Sequence, residues 1–247
     1  MNHIPFAAAL HPKWTSYYYQ HYSTDIPVQL SAYRFNEKWE ENLNTLSQAE
    51  PDVIFSMDSI SPAEKNRLNC IAEVIYLPSE ESWRTHFLQT ASFLKEESEA
   101  EKWLAAYDQQ AAAGKKTLQH AQKLRFLFLR LHKQNFYLAH NRSVREVFFG
   151  DLGFHSARTK DTSSDQAISL ENIANDQADC IMLFLFKEPE TLAYYQQLQQ
   201  TEAWQNLSAV RNNRVYLLSF DPWNEYSAYG HERIVQQTIS LLSGDCP

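Results

Sequence analysis

Between residues 98 and 124 the chain carries no strand signal and a single glycine, Gly114. Trp103, Leu104, Tyr107, Ala111 and Leu118 recur there at helical spacing. Acidic residues dominate the first part of this stretch and lysines the last, which complements a helix dipole. A continuous helix over residues 98–122 would be about 37 Å long. That is long for the interior of one compact domain and suited to joining two. On either side, short apolar runs alternate with helical patterns, the signature of βαβ units and a largely parallel sheet. The expectation is an α/β chain of two lobes with largely parallel sheets, residues 1–97 and 125–247, joined by one long backbone helix over 98–124.

In the first lobe the pattern predicts strands at 6–10, 28–30, 51–55 and 74–77, with helices at 14–22 and 38–49. Ser61 followed by Pro62 opens a further helix as N-cap and first helical residue. The second lobe reads as strands at 126–131, 136–139, 180–186 and 214–219. Its helices fall at 143–152, stopped by Gly153, and at 170–174, 189–200 and 234–242. The uninterrupted run Cys-Ile-Met-Leu-Phe-Leu-Phe at 180–186 reads as a strand buried on both faces.

Composition excludes several classes. There are only five glycines and none before Gly114, so neither a dinucleotide fingerprint nor a phosphate-binding loop fits the first half, and no glycine cluster follows. The formal net charge of −8 argues against direct nucleic-acid contact by this chain. Cys70 and Cys180 sit in apolar contexts and read as core residues, and with Cys246 the count is odd, so no disulfide framework or zinc site is expected. Histidines show no HExxH spacing, and neither a GxSxG elbow nor a marked Cys–His arrangement occurs. The expectation is a non-enzyme without catalytic residues, cofactor or protein-held metal. No segment approaches the roughly 20 apolar residues that span a bilayer, and no leader or lipid-bearing cysteine is read at the start.

Four segments carry a resemblance. They are PDVIF, YLPSEESWRTHFLQTASFLKEESEAEKWLAAYDQ, NFYLAHNRSVREVFFGDLGF and WQNLSAVRNNRVYLLSFDPWNEYSAYGHERIVQQTISLL, together covering about residues 51–242. In this order and spacing they resemble the periplasmic-type solute-binding proteins for ferric siderophores and cobalamin, whose two α/β lobes are joined by a rigid helix. Similar domains occur behind DNA-binding regions in AraC-type transcriptional regulators that sense siderophores. The resemblance implies a ferric siderophore bound in an inter-lobe cleft, in a cytoplasmic sensing domain attached to a DNA-binding region outside this chain. The alternative is the extracytoplasmic, membrane-anchored binding component of an ABC importer of iron, whose partner is a permease. Such importers dock through a glutamate on each lobe, and Glu64 and Glu188 are the candidates here.

Against such a polyanionic ligand, arginine offers a planar, permanently charged fork. Arg142 and Arg145 follow His140 and Asn141 at a strand end, and Arg84 follows Trp83. The bland reading of these arginines is an ion pair: Glu80 or Glu81 for Arg84, a helix-surface partner for Arg145. Trp223, Tyr226 and Tyr229 stand where strand 214–219 meets the last helix, suited to stacking on chelate rings, although a turn tryptophan also packs into cores. His231 opens that helix as a ligand contact, a cap or a partner of Glu225. Lys13, Tyr33, Arg34 and Ser56 stand at first-lobe strand ends, as do His11 and Asp58. Asp58 repels a polyanion and is read as holding a loop or a basic partner. Direct capture of iron or haem by His11, His140 or His231 is the metal-binding alternative. Ferric iron prefers oxygen ligands, which a siderophore itself supplies.

Overall fold

The computed structural model describes residues 39–48, 50–158 and 166–245. The chain divides into two compact units, Met1–Glu81 and Ser82–Pro247. The strands expected at 6–10 and 28–30 and the helix at 14–22 lie outside the described residues, as do His11, Lys13, Tyr33 and Arg34.

The first unit comprises α1 (Trp39–Gln48), β1 (Val53–Met57), α2 (Pro62–Asn69) and β2 (Glu73–Leu77), with β1 and β2 paired in parallel. The start of α2 is set as the sequence implies. Ser61 Oγ accepts from Glu64 N–H while Glu64 Oε2 accepts from Ser61 N–H at 2.8 Å, a reciprocal capping box. Leu43, Leu46, Ile54 and Leu68 form the core. Cys70, expected inside, is exposed instead. It caps the C-terminal end of α2, two residues beyond buried Leu68, and this places it on the opposite, solvent side.

The second unit begins with α3 (Trp83–Leu94) and α4 (Glu97–Thr117). The helix expected over 98–122 stops at Thr117, because Leu118 and Ala121 turn into the core and draw the chain toward the next strand. The chain continues through β3 (Arg125–His132), β4 (Asn135–Leu138), a π-helix (Val144–Asp151) and β5 (His155–Ser156). It then runs through α5 (Leu170–Asn175), β6 (Cys180–Leu185), α6 (Pro189–Leu198), α7 (Glu202–Gln205), α8 (Ser208–Arg211), β7 (Val215–Leu218) and α9 (Ala228–Leu242). The sheet order is β4-β3-β6-β7, with β5 also on β3. Only β4 runs antiparallel, as the partner of β3 in a hairpin.

Alternation along the strands sorts the side chains into two cores. Phe126, Phe128, Cys180, Met182, Phe184 and Leu218 face α3, α4, the π-helix and α9. Leu127, Leu129, Leu131, Ile181 and Leu183 face α5 to α8. β6 is an interior strand buried on both faces, as its continuous apolar run requires. α4 and α9 approach closely at Gly114, where a Cβ would lie 2.8 Å from Ile239 Cδ1.

Candidate functional site

The chemistry-bearing residues of the second unit gather where α3, the π-helix, the post-β7 loop and α9 meet on one side of the sheet. A π-helix widens the backbone by one residue per turn and recurs at functional sites. Here Leu152 N–H reaches back to Val147 O at 2.9 Å, and Gly153 takes the left-handed φ of 71° that ends the segment. The wide turn carries two carboxylates, Glu146 and Asp151, toward α3.

Asp151 receives Arg84. Nη1 lies 2.9 Å from Oδ1, and Nη2 of the same guanidinium lies 2.6 Å from Asp108 Oδ1. The group stacks over Trp83 and Tyr107, at 4.5 and 5.1 Å from the ring centres. Tyr107 donates to Asp151 Oδ2 at 2.7 Å. Burial and the Asp151 charge push the Tyr107 hydroxyl far above its ordinary value, so it stays a donor. Arg84 is therefore held by two carboxylates, and these are Asp108 and Asp151 rather than the neighbouring Glu80 or Glu81.

Glu146 receives Arg142. Arg142 Nε donates to Glu146 Oε1 at 2.7 Å, and Trp83 N–H donates to Oε2 at 2.8 Å. The Arg142 guanidinium lies over Tyr226, 4.7 Å from the ring centre. Tyr226 OH lies in hydrogen-bond contact with His86 Nδ1 at 3.2 Å. Burial, then the negative charge of Glu146, push the Tyr226 hydroxyl up to about 12 against the opposing effect of Arg142. Arg145 is exposed and makes no ion pair among the described residues.

His231 is fully buried in the first turn of α9. Ser143 Oγ donates to Glu225 O at 2.7 Å and so accepts from His231 Nε2–H at 3.3 Å, which assigns the tautomer. Burial, then the charges of Arg84 and Arg142, push His231 down to about 3. It stays a neutral imidazole, edge-on to Trp83 with ring centres 4.7 Å apart. The expected partner Glu225 is taken instead by Ser227 and by Arg233, which also bonds Asp221 Oδ2 at 2.8 Å.

The residues expected from sequence thus separate. Arg84, Trp83, Arg142, Tyr226 and His231 come together. Tyr229 is exposed, its ring beneath Arg233, its partner one helical turn on. His140 packs edge-on to Phe149 with ring centres 5.8 Å apart. Trp223 does not offer its ring to solvent. It is fully buried against Phe128 and Phe148 and donates Nε1–H to Gln237, because the post-β7 loop folds back onto the sheet. In the first unit Ser56 donates to Met57 O at 3.1 Å, and Asp58 accepts from Ser79 N–H at 2.8 Å, holding its loop. Glu188 pairs with His132 at 3.1 Å. Asn141, Glu146, Asp108 and Asp151 were not singled out from sequence. Of these, only the four-residue spacing from Arg142 to Glu146 is a local signal.

Among the described residues no group of three or more His, Cys, Asp or Glu is placed to hold a metal ion, and no helix is long and apolar enough to cross a membrane.

Comparison with known proteins places the chain in a family. The chain is 89% identical over all 247 residues to an HTH-type transcriptional activator, Btr, of Bacillus subtilis. It spans 47% to 61% of the length of the curated relatives it matches. The triscatecholate siderophore binding protein FeuA of Bacillus subtilis, complexed with ferri-bacillibactin, superposes with a TM-score of 0.67. That match covers 85% of this chain and 76% of FeuA at 20% identity. FhuD2 of Staphylococcus aureus with bound ferrioxamine B gives 0.68, over 82% of this chain and 80% of FhuD2 at 14% identity. At such identities the likeness shows the fold, the α/β class of the two-lobed binding proteins. Matched by the family over residues 2–222, the chain belongs to the periplasmic binding proteins.

Proposed function

We propose that this chain is a ligand-sensing domain that binds a ferric siderophore without turning it over. It works in the cytoplasm, attached to a DNA-binding region outside this chain, as part of a transcriptional regulator of iron uptake of the AraC type. The observation that carries the regulatory reading is the 89% identity to a transcriptional activator of which this chain corresponds to 47%. A binding-protein domain that fills less than half of a regulator is suited to sense while the remainder acts on DNA. The siderophore reading is supported by the shared fold with proteins solved around ferri-bacillibactin and ferrioxamine B.

In this reading Arg142, Arg145, Tyr226 and Tyr229 supply the second unit's contacts to an anionic, ring-bearing chelate. Arg84 and His231 hold the elements beneath. Ligand capture shifts a hinge or rocking equilibrium and so changes the surface seen by the attached region. A second reading, the binding component of an importer, draws on an iron-uptake system-binding protein and an Fe(3+)-citrate-binding protein at 24% and 27% identity. Tryptophan-quenching titration against ferri-bacillibactin, ferrioxamine B, ferric citrate and haem tests the ligand. Promoter binding by the full-length protein with and without that ligand tests the role. Saturable binding with no change in DNA affinity would favour the importer reading.

A further inference from the structure

Glu146 serves two groups with its two oxygens. Oε1 holds Arg142 Nε at 2.7 Å, and Oε2 holds Trp83 N–H, in the first turn of α3, at 2.8 Å. We infer that Glu146 is an internal competitor for the ligand: an anionic ligand binds Arg142 by displacing Glu146 Oε1, while Oε2 stays on α3. The inference rests on the proposed contact between Arg142 and the ligand.

The geometry favours partial release. Losing Oε1 does not cast the carboxylate loose, since the Trp83 N–H and the positive end of the twelve-residue α3 retain it. Arg142 itself is fixed from another side by Tyr226, 4.7 Å below the guanidinium, so it exchanges partners without moving far. The pair is partly exposed, with 25% and 22% of the side chains accessible, so solvent and ligand reach it.

The exchange selects by charge. A ligand with anionic oxygens replaces what Arg142 loses. A neutral or cationic ligand does not, and leaves the guanidinium without the charge of Glu146. Once displaced, Glu146 keeps its negative charge beside the ligand, which weakens the same anionic ligands that Arg142 admits. Glu146 thus tempers affinity for anionic ferric chelates while it sets the class of ligand that is accepted.

Glu146→Gln tests this with two probes, ferri-bacillibactin, an anionic tris-catecholate, and ferrioxamine B, a cationic trihydroxamate. Glutamine keeps a carbonyl for Trp83 N–H but removes the charge that competes for Arg142. The variant is expected to bind ferri-bacillibactin about three- to tenfold more tightly and ferrioxamine B no more tightly than the parent. The gain should vanish when Arg142→Gln is added, which a merely structural role of Glu146 would not produce. If Glu146→Gln does not fold, Glu146→Ala, which also removes the charge that competes for Arg142, carries the test with the same expected direction. Unchanged or weaker binding of ferri-bacillibactin by a folded variant overturns the inference, as does a gain that persists without Arg142. If the parent and the variants bind neither chelate, the ligand reading itself falls, and this inference with it.

Discussion

Asn141 Nδ2 donates to the carbonyl of Trp223 at 2.9 Å, joining two loops that lie 82 positions apart in sequence. The same amide donates to Asn224 Oδ1 at 2.7 Å, and its Oδ1 accepts Val144 N–H, the first of the π-helix, at 2.9 Å. One carboxamide therefore ties the exit of β4, the start of the π-helix and the loop after β7. Arg142 is the next residue, and Tyr226 lies two beyond Asn224. The stacked pair that faces the proposed ligand inherits its geometry from this clamp.

Asn141→Asp keeps the acceptor for Val144 N–H but loses both donors, and turns a charge toward the Trp223 carbonyl. A lost hydrogen bond with an acceptor left unsatisfied costs about 1–3 kcal/mol, or roughly 2–4 °C of Tm per kcal/mol for a unit of this size. Urea unfolding should show the loss, and ligand affinity should fall in parallel. An unchanged unfolding midpoint would show that the two loops hold their places without the clamp.

The two carboxylates on Arg84 should be unequal. Asp151 has 15% of its side chain exposed and also accepts the Tyr107 hydroxyl, whereas Asp108 is 59% exposed. Asp151→Asn should cost about 1–3 kcal/mol, because Arg84 and Tyr107 both lose their buried acceptor. Asp108→Asn should stay within about 1 kcal/mol, as for a solvated pair. Thermal melts of both variants check the ranking, and equal losses would mean that Arg84 leans on both alike.

His231 makes the fold acid-sensitive. Its folded value of about 3 lies below the ordinary histidine value of 6.5. Between these limits the unfolded chain binds a proton that the folded chain refuses. The stability is then complete above about pH 6.5 and declines as pH falls toward 3, by up to about 1.4 kcal/mol per pH unit from this one group. His231→Gln, whose amide nitrogen still reaches Ser143 Oγ, should flatten that slope between pH 4 and 6. Denaturant midpoints across this range measure it, and a parallel slope in both proteins would assign the acid sensitivity to other groups.

What the sequence disclosed was mostly local. The unbroken run in β6 announced an interior strand, and Ser61 with Pro62 announced the start of α2, because a strand buried on two faces and a helix cap are each written in consecutive residues. α4 ended early because Leu118, fully buried, joins a core that also draws on the sheet and α9, and no helical spacing states that. Asp151 on Arg84 and Glu146 on Trp83 N–H stand 67 and 63 positions away on the π-helix, Asp108 stands 24 away on α4, and no spacing near Arg84 encodes them. Trp223 was misplaced for a similar reason. An aromatic in a Pro-Trp-Asn turn looks exposed until the loop is seen folded back on Phe128 and Phe148.

That burial changes what Trp223→Ala should do. A stacking platform would lose affinity when removed, but a fully buried indole loses stability. The expected cost is about 3–5 kcal/mol from the cavity, with ligand affinity nearly unchanged in whatever fraction remains folded. Arg142→Ala should behave in the opposite way. It gives up a charge-assisted contact worth roughly 1.5–3 kcal/mol, a loss of about 10- to 150-fold in affinity for an anionic ferric siderophore, for little change in Tm. Arg142→Lys should recover only part, since a point charge does not reproduce the planar fork. Raising ionic strength should weaken the parent toward Arg142→Ala while leaving the Trp223→Ala melting deficit untouched. Titrations at two salt concentrations paired with melts separate the cases. If Arg142→Ala binds like the parent at both while its Tm drops, Arg142 serves only to brace Glu146 and Tyr226. The ligand would then be a neutral or cationic one resting on Tyr226 and Tyr229.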